Sequence, residues 1–189
     1  RATFGADFAQ PGMLHGKVLR SPHPHARIKS INFDKALALP GVKAVMSGRD
    51  LVDFPWDKPA ILGIQDLRYN SRNVMARDRA FYAGHPVAAV AATSAKIAAA
   101  AVKLIEVDYE VLPWVIDVDE ALEPGAPILH EDMAKVGAKP GPATTSNIAG
   151  KLEHTLGDVE AGFAEAEVVI KQRMVQPRVV ASPMEPRGA

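Results

Sequence analysis

Histidine and arginine are the residues of this chain whose types and spacing could do chemistry. His15, His23 and His25 lie close together near the start. His23 and His25 are two apart, so on an extended chain both side chains face one side, as a metal-ligand pair requires. No third ligand follows at local spacing, and Pro22 and Pro24 stiffen the tract, which favours a rigid connector over a metal site. His85 and His130 each stand in a turn, beside Pro86 and Glu131, where a general base could sit; a turn or surface histidine is the simpler reading. Glu131 and Asp132 form a possible carboxylate pair, but neighbours on an extended segment point apart and cannot share a proton. Arg68, Arg72, Arg77 and Arg79 make a basic stretch with Tyr69, interrupted by Asp66 and Asp78. That mixture reads as a solvated loop face rather than an anion site.

The motifs that would complete a site are absent. The chain contains no GxxxxGK[ST] loop, no GxGxxG, no GxSxG elbow and no HExxH pair. From its residues alone the chain therefore carries no complete active site, and no catalytic, cofactor-binding or metal residue is assigned.

Composition narrows the class further. Twenty-two Lys and Arg balance 22 Asp and Glu over 189 residues, for a formal net charge of zero. A nucleic-acid partner normally demands a basic excess, because phosphate contacts dominate that affinity. No apolar run approaches the roughly 18 residues of a membrane span. Cysteine is absent, which excludes disulfides, thiolate zinc sites and cysteine-ligated iron–sulfur clusters within these residues and suits a reducing, cytoplasmic setting. The chain starts at Arg1, so a targeting segment is not excluded.

The elements that must position these side chains are short. Strands are predicted over Met13–Leu19, Ala26–Phe33 and Val42–Met46, with Asp34 as N-cap of a helix running to Leu39 and stopped by Pro40-Gly41. Gly48–Arg72 loses all periodicity, and Asn70-Ser71 marks a loop there. Val87–Ala92 reads as a buried strand, and Ser94 caps an alanine-rich helix over Ala95–Ile105 with Ile97, Ala101, Leu104 and Ile105 on one face. Glu106–Leu112 alternates Val107, Tyr109 and Val111 against three acids, a half-buried strand ended by Pro113. A one-turn helix or a turn is expected over Asp117–Leu122, a Gly/Pro/Ser/Thr-rich linker over residues 134–150, a helix over Asp158–Ala166 and a strand over Val168–Val175. Short helices among turn-linked strands argue for an α+β fold rather than a regular parallel array.

Two stretches resemble one family. Pro11–Ile28 (PGMLHGKVLRSPHPHARI), the Ala36-Leu37 helix with Leu39-Pro40-Gly41-Val42, and Ala76–Tyr109 with Glu110–Pro113, Asp117–Ala121 and Pro127–His130 are similar to the α/β-hammerhead domain of molybdenum hydroxylases. Gly157–Ala189, with Gly162–Ala166 and the closing Ser182-Pro183-Met184-Glu185-Pro186-Arg187-Gly188-Ala189, resembles the opening of the domain that follows it. This is the xanthine dehydrogenase and aldehyde oxidase family, which also includes aerobic carbon monoxide dehydrogenase.

The resemblance implies a hammerhead domain over residues 1–133, a linker over 134–150 and the truncated start of a molybdopterin-binding domain over 151–189. It implies a parent oxidoreductase that hydroxylates a carbon centre with water-derived oxygen, or oxidises carbon monoxide, at a molybdopterin-bound molybdenum. Electrons leave through 2Fe-2S clusters to FAD on partner subunits or domains, in a dimer of heterotrimers. The cofactor loops and base glutamate of the family lie downstream of the segment that Ala189 matches, so Glu185 is not read as the base. The expected role is structural, as a fragment cut at both ends; the alternative is a standalone scaffold of the same fold without the chemistry.

Overall fold

The computed structural model describes residues 5–53, 67–131, 147–148 and 154–177. They fall into two compact units, Gly12–Lys151 on one hand and Arg1–Pro11 with Leu152–Ala189 on the other.

Gly12–Lys151 is built on two antiparallel three-stranded sheets. In the first, β5 (Pro86–Ala92) lies between β1 (His15–Arg20) and β3 (Val42–Ser47). Its residues PVAAVAA are a continuous apolar run because both neighbouring strands and a covering helix shield them; Val87, Ala88, Val90 and Ala92 are buried. In the second sheet, β2 (Ala26–Asn32) is central between β4 (Arg79–Ala80) and β6 (Glu106–Val111). Alternation in β6 holds for Val107 and Tyr109, but Val111 is exposed, contrary to the simple period.

Helix α1 (Asp34–Leu37) follows β2. Asp34 is not its N-cap: Phe33 holds that position, and Asn32 Oδ1 instead accepts the Asp34 N–H at 2.7 Å. Helix α2 (Leu67–Val74) runs through Asn70-Ser71, where the composition indicates a loop. Its sequence LRYNSRNV has no apolar stripe to reveal it. Helix α3 (Ala95–Ala101) tightens into a 3-10 turn at Val102–Leu104 and ends before Ile105, which is already extended. Its buried face is Ala98, Ala101, Val102 and Ile105, one position round from the expected stripe, so that small alanines meet the sheet.

Ser94 Oγ accepts the Ile97 N–H at 3.2 Å, capping α3 as expected. Ser94→Ala is expected to lower stability by about 1 kcal/mol, read as a drop in the urea midpoint. An unchanged midpoint would show the cap to be idle.

Two buried clusters tie the sheets together. Ala36, Ala88, Val90, Ala101, Val102 and Ile105 form one, and Ile28, Ala76, Ala80 and Val87 the other; Ile31 and Val107 pack against both. The expected turn near Leu122 is present as a 3-10 turn, Glu120–Leu122. Asn147 lies in the compositional linker, most of which falls outside the described residues; its amide donates to the Ala121 and Pro127 carbonyls and accepts the Leu129 N–H.

In the second unit, the Asp158 carboxylate accepts the Ala161 N–H at 3.0 Å and caps α4 (Val159–Glu165). Val168–Val175 is not a strand. It runs without regular structure and exposes Val168, Ile170 and Met174, because β-propensity needs a partner strand, and none lies beside it among the described residues. No described helix is long and apolar enough to cross a membrane.

Candidate functional site

The second sheet brings its cations together by register. Pairing sets Arg27 opposite both Arg79 of β4 and Glu110 of β6, and a bulge in β2 at Lys29, between Ile28 and Ser30, adds a second cation beside it. Like charges opposite one another repel, so each arginine needs a carboxylate. Arg27 Nη1 meets Glu110 Oε2 at 2.9 Å, and Arg79 meets Glu131 at 3.6 Å.

Beyond the end of β3, a 3-10 turn at Gly48–Asp50 adds Arg49. The Asp50 carboxylate accepts the Ser47 N–H at 2.7 Å and the Ser47 hydroxyl at 3.0 Å. Those two bonds hold the Asp50 carboxyl below the ordinary carboxylate range. Arg77 donates to the Gly48 and Leu51 carbonyls at 3.3 and 3.0 Å, pinning this turn to the segment before β4. Asp53 lies 3.7 Å from both Arg72 and Arg77, and Asp78 lies 3.7 Å from Arg49.

The outcome is a cleft of about 550 Å³ lined by Arg27, Lys29, Arg49, Arg72, Arg77 and Arg79. Among the described residues, only Asp78 and Glu131 oppose them in the lining. A second cavity of about 380 Å³ shares Arg27, Arg79 and Glu131, then continues along Leu112, Pro113, Pro127 and Ile128. Arg72, Arg77 and Arg79 therefore belong to a cationic cleft and not to a solvated loop face. Arg68 and Tyr69 lie on α2, with side chains outside the described residues, as are Asp66, Asp132 and Glu185. Arg27, Lys29 and Arg49 are the members that sequence reasoning missed. Neither Arg49 nor the pair Arg27 and Lys29, which flank a break in the β2 register, carries a periodic signal in the sequence.

The histidines serve packing. Ser21 Oγ donates to the His23 carbonyl and accepts the His23 N–H, bending residues 21–25, so His23 and His25 do not lie along one extended face. His23 meets the Tyr109 ring edge-on, and burial pushes the Tyr109 hydroxyl above its ordinary pKa. His25 is buried; its Nδ1–H donates to the Pro113 carbonyl at 2.7 Å. The Phe81 ring stacks on both His25 and His130, at 5.9 and 4.5 Å.

His85 is no surface histidine: its side chain is 0% exposed. Nδ1 accepts the Phe81 N–H at 3.2 Å, which leaves Nε2–H to donate to the Arg72 carbonyl at 3.0 Å. Burial lowers its pKa more than the backbone contacts raise it, so the ring is neutral at pH 7. Glu131 is engaged with Arg79, and among the described residues no three His, Asp or Glu side chains converge as a metal site.

Two small antiparallel sheets sharing a core with an alanine helix, and bearing a cationic cleft, define an α+β domain. The chain belongs to the family described as "Aldehyde oxidase and xanthine dehydrogenase, a/b hammerhead domain", which it matches over residues 1–113. It is 42% identical over 184 residues to the carbon monoxide dehydrogenase large chain of Afipia carboxidovorans, covering 95% of this chain and 22% of that one. It is 37% identical over 182 residues to a probable xanthine dehydrogenase polypeptide of Bacillus subtilis, covering 96% of this chain and 22% of that one. A crystal structure of Cu,Mo-CO dehydrogenase superposes with a TM-score of 0.63 at 36% identity, over 88% of this chain and 20% of that chain. The chain thus spans about a fifth of the length of these relatives and matches the large-subunit region of molybdenum hydroxylases.

Proposed function

We propose that these residues are the structural α/β-hammerhead portion, 1–133, of a molybdenum hydroxylase large subunit, joined by a linker at 134–150 to the opening of a molybdopterin-binding domain at 151–189. The observation that carries this reading is apolar surface left without cover. Ile116 and Val118 are 78% and 74% exposed, beside half-exposed Trp114, and in the second unit Ile170 and Met174 are 84% and 85% exposed. Exposed apolar side chains this close together in sequence fit surface that other polypeptide covers. The relatives, several times longer, supply candidates for that cover.

On this reading the molybdopterin and the catalytic step belong to polypeptide other than these residues. The whole protein, on this reading, is a cytoplasmic oxidoreductase that hydroxylates a carbon centre or oxidises carbon monoxide, with 2Fe-2S and FAD partners in a dimer of heterotrimers. A standalone scaffold is the less favoured reading, because the relatives bear dehydrogenase names.

Metal analysis tests this. Protein expressed from the complete gene with its co-purifying subunits is expected to carry molybdenum, iron and flavin, whereas the 189 residues alone carry none. A complete product without molybdenum, or stoichiometric molybdenum on the 189 residues, would refute the assignment.

A further inference from the structure

We propose that the cationic cleft on the β4-β2-β6 sheet receives an acidic, aliphatic peptide segment of another polypeptide. This stands apart from the oxidoreductase reading, because it rests on the cleft alone.

Charge comes first. Among the described residues, six cations line the cleft with Asp78 and Glu131, while Glu110 pairs with Arg27 and Asp53 with Arg72 and Arg77 from beside it. Two of these pairings are loose, with Arg49–Asp78 at 3.7 Å and Arg79–Glu131 at 3.6 Å. A charge-assisted hydrogen bond between such groups closes to about 2.7–2.9 Å, so an incoming carboxylate has better geometry to gain. Lys29 and Arg49 are exposed at the rim, where a ligand would first meet them.

Shape then selects the occupant. The cations are distributed around about 550 Å³ rather than focused on one point, as a single phosphate would need. Through Arg27, Arg79 and Glu131 the cleft continues into the cavity walled by Leu112, Pro113, Pro127 and Ile128. A small anion leaves that apolar end unused, whereas a peptide with acids followed by aliphatic side chains fills both. Nucleic acid would need open aromatic faces for its bases. Among the described residues, Phe81 is the only aromatic side chain in the lining of the cationic cavity, and it is stacked on His25 and His130.

The test is fluorescence anisotropy on protein from the complete gene, using a labelled peptide in which a run of glutamates is followed by a run of leucines. Binding is expected, and it should weaken as ionic strength rises. Lys29→Glu with Arg49→Glu should reduce affinity about tenfold. Lys96→Glu with Lys103→Glu, the same charge change at exposed positions outside the cleft, should leave it unchanged. The proposal is overturned by absent binding or by equal loss in both double variants. It is equally overturned if pyrophosphate or a single-stranded oligonucleotide displaces the label at lower concentration than unlabelled peptide.

Discussion

Replacing His85 by alanine is expected to lower the stability of the Gly12–Lys151 unit by about 3–5 kcal/mol, among the largest effects available in this chain. Three losses combine. The fully buried ring vanishes and leaves a cavity, its stack on Tyr82 at 4.4 Å goes with it, and the Phe81 N–H and Arg72 carbonyl lose their partners. The variant should show a lower urea midpoint and faster amide exchange across α2, because the Nε2–H bond fastens that helix to the turn before β5. The same residue sets a pH dependence. Its folded pKa lies below the ordinary value of 6.5, so the unfolded chain binds a proton that the native state refuses. Native stability is therefore complete above about pH 6.5 and declines as pH falls below it, until the folded pKa is reached. A His85→Gln variant should lose much of that acid-side slope between pH 7 and 5. Identical slopes in both proteins would remove His85 as the cause.

Elements built from local rules are legible in the sequence. Val87–Ala92, Ser94 with α3, and the helix α4 follow from apolar patterns and a cap that act within a few residues. Helix α2 was not legible, because it has no apolar stripe and the His85 ring fastens it only through the Arg72 carbonyl, from thirteen residues away. Val168–Val175 failed in the opposite way: it has strand-forming residues but, among the described residues, no neighbouring strand to pair with. Asp34 lost the cap position to Phe33 because Asn32 already supplied the acceptor.

The cleft was harder to foresee than the fold. It depends on a two-residue strand, Arg79–Ala80, meeting β2, and on a 3-10 turn carrying Arg49 next to Asp78. Both contacts join segments far apart in sequence, and neither leaves a periodic trace. The arginines at 72, 77 and 79 were visible, yet their convergence required Arg27 and Lys29 from a strand some fifty residues earlier.

Gly48→Ala should be as damaging as the loss of His85, through sterics alone. A Cβ at Gly48 would stand 2.2 Å from the Ala76 carbonyl oxygen, 2.6 Å from its carbon and 2.9 Å from Arg77 Cα. These are backbone atoms, so no rotamer change relieves the overlap; the turn and the 76–77 segment must separate. That segment is anchored on its other side by the Ala76 N–H bond to the Pro86 carbonyl at 2.7 Å, which resists the movement. Overpacking against a fixed backbone costs about 3 kcal/mol or more. Separation would also stretch the Arg77 bonds to Gly48 and Leu51 and carry Arg49 away from Asp78, so peptide binding in the cleft should fall together with stability. Gly84→Ala provides the contrast: its φ of +92° strains an alanine, but nothing lies within 4 Å of the new Cβ. That variant should lose only about 1 kcal/mol. Equal denaturation midpoints for the two variants would mean that close backbone approach at Gly48 does not govern how the turn meets β4.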